Sequence, residues 1–330
     1  MSIGLFFYFK RIEVHGLDRI SNNKAVLIVS NHQNALLDAL LIATRLNRFG
    51  HFLTRAGVFQ KAFVAKLLRS FNMLPVFRIR DGWSNLTNNN SIFECVSELL
   101  HAKELVVIFP EGSHNLARRV RPLSKGFTRV VFDTYEKYPD TQLDIVPIGL
   151  NFKNAKDFVD SASVYIGEPI DAGDYIHGQR HEQVVALKKD VHDSLSKLTT
   201  HIPEESYNEI LLKLNELNVD FLDPTSVNTC IESNFETCTS GKSSNDAIHK
   251  FLKGLLIISV LPPYLVWKYV AQPKIKEIEF TSTFRFAIAI VLVPIYLILL
   301  GLFLAIIFNG ITALIAVISI IILELLVVKL

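Results

Sequence analysis

The 330-residue chain is half apolar, and its 34 basic against 32 acidic residues leave a net charge of only +2. That length holds one large domain or two ordinary ones, and a balance so near neutral argues against nucleic acid as a partner. Three cysteines, Cys95, Cys230 and Cys238, match no metal spacing and no paired disulfide framework, which points to a reducing compartment.

The first residues, "MSIGLFFYFKRIEVHG", lack a basic run ahead of their short apolar stretch, so they do not read as a signal peptide. Two readings stay open. "LFFYF" lies in a membrane interface with Lys10 and Arg11 toward the headgroups, or it forms a first helix or strand packed on the domain. "KAVLIVS" (24–30) predicts a strand and "ALLDALLIATRL" (35–46) a helix, with His32 in the loop between them and Asp38 just inside the helix. Such a pair can orient and charge an imidazole, or it can be a polar turn with a solvated aspartate.

Further along, "SIFECVSELLHAK" (91–103) predicts a helix, and "ELVVIFP" (104–110), "LDIVPIGLNF" (143–152) and "SVYIG" (163–167) predict strands. Apolar strands without alternation, separated by helices, define an α/β fold: a mixed, largely parallel sheet covered by helices. Residues 181–218 read as two charged amphipathic helices. Residues 219–247, rich in Ser, Thr and Asn, read as a loop or linker.

The chain then turns apolar. Between 284 and 328 only Arg285 and Glu324 are charged. "AIAIVLVPIYLILLGLFLAIIF" (287–308) is long enough to cross a bilayer, with Pro294 as a tolerated kink. A second span, 311–328, follows the turn dipeptide Asn309-Gly310. Residues 251–270 carry Pro262-Pro263, which should break a helix, and have lysines on both flanks. If cationic flanks mark the cytoplasmic side, a re-entrant or interface-lying broken helix is expected there, with a full span as the alternative. Glu324 lies near the inner end of the last span, where its side chain can snorkel. The expected organisation is a catalytic domain over 1–200, a helix and polar linker over 201–248, and a C-terminal α-helical membrane region over 249–330.

In sheets of this kind chemistry gathers in the loops beyond the carboxyl ends of strands. Four polar blocks fall there: "NHQNALLD" (31–38), "LPVFR" (74–78), "FPEGS" (109–113) and the proline-bearing "IVPIG" (145–149). In this order, and followed by "YIGEPI", they resemble the glycerolipid acyltransferase family, which includes lysophosphatidic acid and glycerol-3-phosphate acyltransferases. The resemblance covers about residues 10–172. Two departures stand out. Five residues rather than four separate His32 from Asp38, and His114 follows "FPEGS" where the family usually has an arginine.

The resemblance implies an integral membrane O-acyltransferase of phospholipid biosynthesis, its catalytic domain on the cytoplasmic face. His32 would be the general base and Asp38 its orienting partner. Arg78 would hold the acceptor phosphate, with Arg80 the neighbour that could be confused with it. Glu111, Gly112 and Ser113 would form the wall of the acceptor site, and Arg118, Arg119 and Lys125 are substitutes for the missing arginine at 114. Acyl-CoA or acyl carrier protein would be the donor, and glycerol 3-phosphate or lysophosphatidate the acceptor. No cofactor is implied, no metal-ligand set is visible, and Pro147 reads as structural. The alternatives are a catalytically inactive, membrane-anchored lipid-binding scaffold and a lipid hydrolase acting through Ser113. No nucleophile-elbow pattern surrounds that serine.

Overall fold

Short runs of Val, Ile and Leu build the centre of the molecule. The computed structural model describes residues 1–77, 89–241 and 246–330. Eight strands form one sheet: β1 (Phe9–His15), β2 (Ala25–Ser30), β3 (His51–Arg55), β4 (Met73–Val76), β5 (Leu105–Ile108), β6 (Leu143–Phe152), β7 (Asp160–Ile166) and β8 (Ile170–Asp171). Their order is β1-β7-β6-β2-β5-β3-β4, with β8 also on β6. Among the described residues only the β6–β7 and β6–β8 pairings of this sheet are antiparallel, so the sheet is mixed and largely parallel, as its unalternating strands predict.

Both faces are covered. Along β2, Val26 and Ile28 enter one core with Leu37 and Leu41 of α2 (Ala35–Arg45) and Leu5 and Tyr8 of α1 (Ser2–Tyr8). Ala25, Leu27 and Val29 enter the other, against Phe93 and Val96 of α4 (Asn89–His101), Phe127 and Val130 of α5 (Gly126–Lys137) and Leu187 and Val191 of α6 (Arg180–Leu198). Successive residues of a strand point to opposite faces, so an all-apolar strand is what two covered faces require. A further short helix, α3 (Ala62–Ser70), lies between β3 and β4.

Pro147 stands within central β6, where a proline would normally be excluded. Its carbonyl accepts from Gly167 N–H at 2.8 Å, so its nitrogen faces the same side, between the β8 pairing at Asp144–Ile145 and the β7 pairing that starts at Ile148. No ladder bond is demanded there.

Two sequence expectations are corrected beyond the sheet. The stretch expected to be loop or linker contains α8 (Pro224–Glu232). Asp223 caps it by accepting from Ser226 N–H at 3.1 Å, and Pro224 fills its first turn. With α7 (Tyr207–Glu216) it encloses a small core of Ile202, Leu214, Val219, Phe221, Val227 and Cys230. Asn228 of α8 donates to the carbonyls of Ser196 (3.1 Å) and Thr199 (2.9 Å), which fastens this unit to the end of α6. The cysteines differ as well: Cys230 and Cys238 are joined in a disulfide, against the expectation of unpaired thiols, and Cys95 is free.

At the N-terminus the packed reading describes what is found. Leu5 and Tyr8 are buried, and β1 pairs in parallel with β7 at the sheet edge. The C-terminal part has α9 (Asp246–Ser259), α10 (Leu261–Leu265) running on into a π-helical turn (Val266–Ala271), α11 (Thr281–Ile307) and α12 (Gly310–Lys329). Residues Ile278–Ile307 and Gly310–Lys329 are long and apolar enough to cross a membrane, with mean hydropathies of 3.1 and 3.0. The axis bends by 97° between Ser259 and Leu261. The break falls at Val260, and Pro262 and Pro263 occupy the first turn of α10, where a missing N–H costs nothing.

The α11–α12 hairpin begins and ends on the α/β domain, whereas the bent α9–α10 segment begins against the end of α12 and ends on the α/β domain. Ser282 of α11 donates to the Ala155 carbonyl (2.7 Å), and Phe286 is buried against the ring of Tyr8. The other end of the hairpin returns where Lys329 donates to the Phe9 carbonyl (2.8 Å) and stands over the Phe6 ring. His249, in the first turn of α9, meets the Val327 carbonyl at 3.0 Å, and Glu277, after the π-helical turn, meets His114.

Candidate active site

His32 sits in the loop after β2, and Asp38 points back from the first turn of α2. His32 Nδ1 and Asp38 Oδ2 are 2.7 Å apart. The extra residue between them is absorbed before the helix settles, where Ala35 adopts a left-handed φ of 40°. A non-glycine residue held there stores strain, a common feature of functional loops. Asp38 is fully buried. Its Oδ2 also accepts from Asn34 N–H (2.7 Å), while Oδ1 has no partner among the described residues. A buried carboxylate so placed fixes the tautomer and orientation of the imidazole. The reading of Asp38 as a solvated turn residue is therefore set aside.

With Nδ1 committed, Nε2 is the atom of His32 that can exchange a proton. The ring stacks on Phe109 at 4.1 Å between centroids and meets His114 edge-on at 5.5 Å. The loop after β5 thus lies against the histidine, and Asn115 N–H donates to the His32 carbonyl (2.9 Å).

That loop is organised by a residue for which the sequence gives no sign. Arg121 Nε donates to Glu111 Oε2 (2.7 Å), one terminal nitrogen donates to Ser113 Oγ (2.8 Å), and the other bonds the Ser113 carbonyl. Glu111 is nearly buried, and that burial pushes its carboxyl above the usual range, while Arg121 and His32 pull it down. One oxygen of Glu111 is therefore committed to the arginine. Gly112 holds a φ of 70°, and a Cβ there would meet nothing within 4 Å. The glycine supplies a backbone shape and faces open space.

Some expectations do not survive. Arg118 cannot stand in for a phosphate ligand: its nitrogens donate to the Phe152 (2.8 Å) and Lys153 (2.7 Å) carbonyls, and its guanidinium lies over Phe221. Arg119 is paired with Glu204. His114 is no free cation either. Burial lowers its pKa first, and its Nε2 is bonded to Glu277 at 3.0 Å. Two helix-start N–H groups, which could have faced an oxyanion, are also taken: Asn34 N–H by Asp38, and Leu36 N–H by Thr283 Oγ1 of α11 (3.2 Å). Arg78 and Arg80 lie outside the described residues.

His114, Glu277 and Glu279 bring one ligand atom each to within 4.8 Å of one another, a grouping of metal-ligand type. Its members are far apart in the chain, so no local spacing could announce it, and one histidine nitrogen is already bonded to Glu277.

A mixed, largely parallel sheet covered by helices thus presents a carboxylate-oriented histidine beside a Pro-Glu-Gly turn. Residues 11–151 match the family model described as Acyltransferase. The chain is similar to two proteins of Saccharomyces cerevisiae, glycerol-3-phosphate O-acyltransferase 2 (28% identity over 121 residues) and glycerol-3-phosphate O-acyltransferase 1 (28% over 112). Those matches cover 36% and 33% of this chain but only 16% and 15% of the yeast proteins. An uncharacterized acyltransferase of Schizosaccharomyces pombe is 20% identical over 293 residues, covering 62% of this chain and 43% of its own length. Among solved structures, the 1-acyl-sn-glycerophosphate acyltransferase of Thermotoga maritima covers 62% of this chain and 80% of its own, at 17% identity and a TM-score of 0.43. Over residues 11–151 the chain is thus similar to acyltransferases, and the yeast proteins it resembles there are glycerol-3-phosphate acyltransferases.

Proposed function

We propose that the chain is a membrane-bound O-acyltransferase that moves a fatty acyl group from an acyl thioester to the hydroxyl of glycerol 3-phosphate or lysophosphatidate. The observation that carries this reading is the 2.7 Å contact of His32 Nδ1 with the buried Asp38 carboxylate. An alcohol attacks poorly until its proton is taken. His32 Nε2 takes the proton as the alcohol oxygen bonds to the thioester carbonyl carbon. Asp38 stabilises the imidazolium that forms. The tetrahedral adduct then collapses, the carbon–sulfur bond breaks, and His32 returns the proton to the thiolate. No residue of the chain becomes acylated.

The space beside Gly112 would receive the acceptor, with Glu111 and Ser113 as its wall and Arg78, from the arginine block, as its phosphate ligand. The names of the yeast relatives support a glycerophosphate acceptor. Two helices able to span a bilayer support a lipid product retained at a membrane, and the catalytic domain is assigned to the cytoplasmic face, where a soluble acyl carrier reaches it. No cofactor takes part beyond the acyl carrier itself. The hydrolase alternative through Ser113 is disfavoured, because the hydroxyl of that serine is bonded to Arg121 rather than to a base.

The test is to incubate the detergent-solubilised protein with labelled acyl-CoA and each acceptor in turn. Acylated glycerol 3-phosphate or phosphatidate is the expected product. Release of free fatty acid alone, or no turnover with either acceptor, would overturn the proposal.

A further inference from the structure

A cavity of about 1220 Å³ opens between the α/β domain and the membrane helices, on the far side of the 154–159 loop from His32. On one side of that loop, the Ala155 carbonyl accepts from Asn34 and Ser282 beside the catalytic pair. On the other, Asn154, Asp157, Phe158 and Val159 line the cavity. None of His32, Asp38, Glu111 or Ser113 does.

The lining is graded. Lys10, Arg11 and Lys153 come from the α/β domain, and Lys253 and Arg285 from the parts of α9 and α11 nearest to it. Farther along the same helices the walls are Leu256, Ile257, Val260, Ile288 and Val293. Three carboxylates also line the space, and one of them, Asp220, is held by Arg11 at 3.0 Å. Among the described residues the ammonium groups of Lys153 and Lys253 have neither a hydrogen-bond nor an ion-pair partner. Arg285 gives one nitrogen to the Lys156 carbonyl (2.9 Å) and lies over the Trp267 ring. Cations at the domain end, two of them without a partner among the described residues, and a largely apolar wall along the helices, interrupted by Glu324 of α12, form one continuous surface.

We propose that this cavity is a second, non-reacting binding site for one acidic glycerophospholipid drawn from the bilayer. The phosphate lies against Lys153, Lys253 and Arg285, and the acyl chains run along the elbow of α9 and α10 and the facing side of α11. Basic groups at a membrane surface favour anionic lipids, while a bent helix pair together with α11 gives the chains a protein-lined wall.

Trp267 lines the cavity and Trp83 is the only other tryptophan of the sequence, so the full-length Trp83→Phe protein in nanodiscs gives a single-site fluorescence reading. Acidic phospholipid brominated on its acyl chains should quench Trp267 at a lower mole fraction than brominated phosphatidylcholine. Lys153→Glu combined with Lys253→Glu should raise the required mole fraction by about tenfold or more, and the paired Lys→Arg replacements should restore it. Ile288→Trp in a Trp267→Phe background, which fills the apolar end, should reduce retention of acidic lipid measured by mass spectrometry. His32→Ala should leave binding unchanged, so the reading does not depend on turnover. Equal quenching by both lipids, or none, would overturn the proposal. So would displacement by inorganic phosphate, which marks a bare anion site, or by coenzyme A, which assigns the cavity to the acyl donor.

Discussion

His32 and Asp38 form a unit, and their variants should show it. His32→Ala is expected to cut turnover by about 100- to 10,000-fold while expression and membrane insertion persist. Asp38→Asn should also be severe, since an amide neither fixes the tautomer nor stabilises imidazolium. The double variant should be scarcely worse than His32→Ala, because groups that act together are not additive. Steady-state kinetics on the three proteins decides it, and losses that simply add would make the pair structural. Arg121 poses a different question. Arg121→Ala strands a nearly buried Glu111, at a cost of about 3 kcal/mol. Glu111 already has a raised pKa from burial, and loss of the guanidinium raises it further. A carboxyl raised in the folded state loses stability as pH climbs from its ordinary value toward the folded one. The deficit of Arg121→Ala, read by thermal unfolding, should therefore shrink as pH falls toward the usual 4.5 of a glutamate and grow toward neutrality. His32, Asp38, Glu111 and Gly112 could be read from local motifs. Arg121 could not, because it is one of three arginines in "ARRVR", and only the folded turn shows which of them faces Glu111.

The first turn of α11 is the joint between the two halves. Ser282, Thr283 and Phe286 are buried there, and Leu36, in the first turn of the helix that bears Asp38, bonds to Thr283. Phe286→Ala removes a fully enclosed ring, a loss of about 3 kcal/mol or more. It is expected to lower the thermal midpoint in detergent and to cut turnover with it, while Phe303→Ala, far along the exposed part of the same helix, should change neither. Sequence periodicity finds α11 easily but cannot announce this joint, since Phe286 looks like any other apolar residue of a span. The same limit hid α8. Its polar surface residues imitate a linker, and Pro224, Val227 and Cys230 are the ones that are buried. The Cys230–Cys238 bridge closes a loop too short to stand out as a framework.

The α11–α12 hairpin leaves the α/β domain and comes back to it, and the bent α9–α10 segment starts beside the returning end of that hairpin and finishes on the α/β domain. A cysteine at Lys274 should therefore react with impermeant reagents from the same side as one at exposed Lys189 of α6, and a cysteine at the Asn309 tip from the opposite side. Labelling of the 274 site together with the tip would show three full crossings. Composition alone makes the hairpin legible, because two long apolar runs almost without charge have no other solvent. Whether residues 251–270 cross or return depends on where their ends dock, and those contacts join positions far apart in the chain, His249 with Val327 and Glu277 with His114.

The parallel pairing of β1 with β7 bears on how the molecule is made. Ile12 lies beside Ala162, and Phe9 is then gripped by Lys329. During synthesis the first strand has no neighbour until β7 has left the ribosome, and no clasp until the last helix has entered the bilayer. Contacts this distant in sequence form late. The nascent chain therefore carries an unpaired sheet edge through much of translation, and its greasy leading residues are a natural station for a chaperone or for the membrane surface itself until Lys329 arrives.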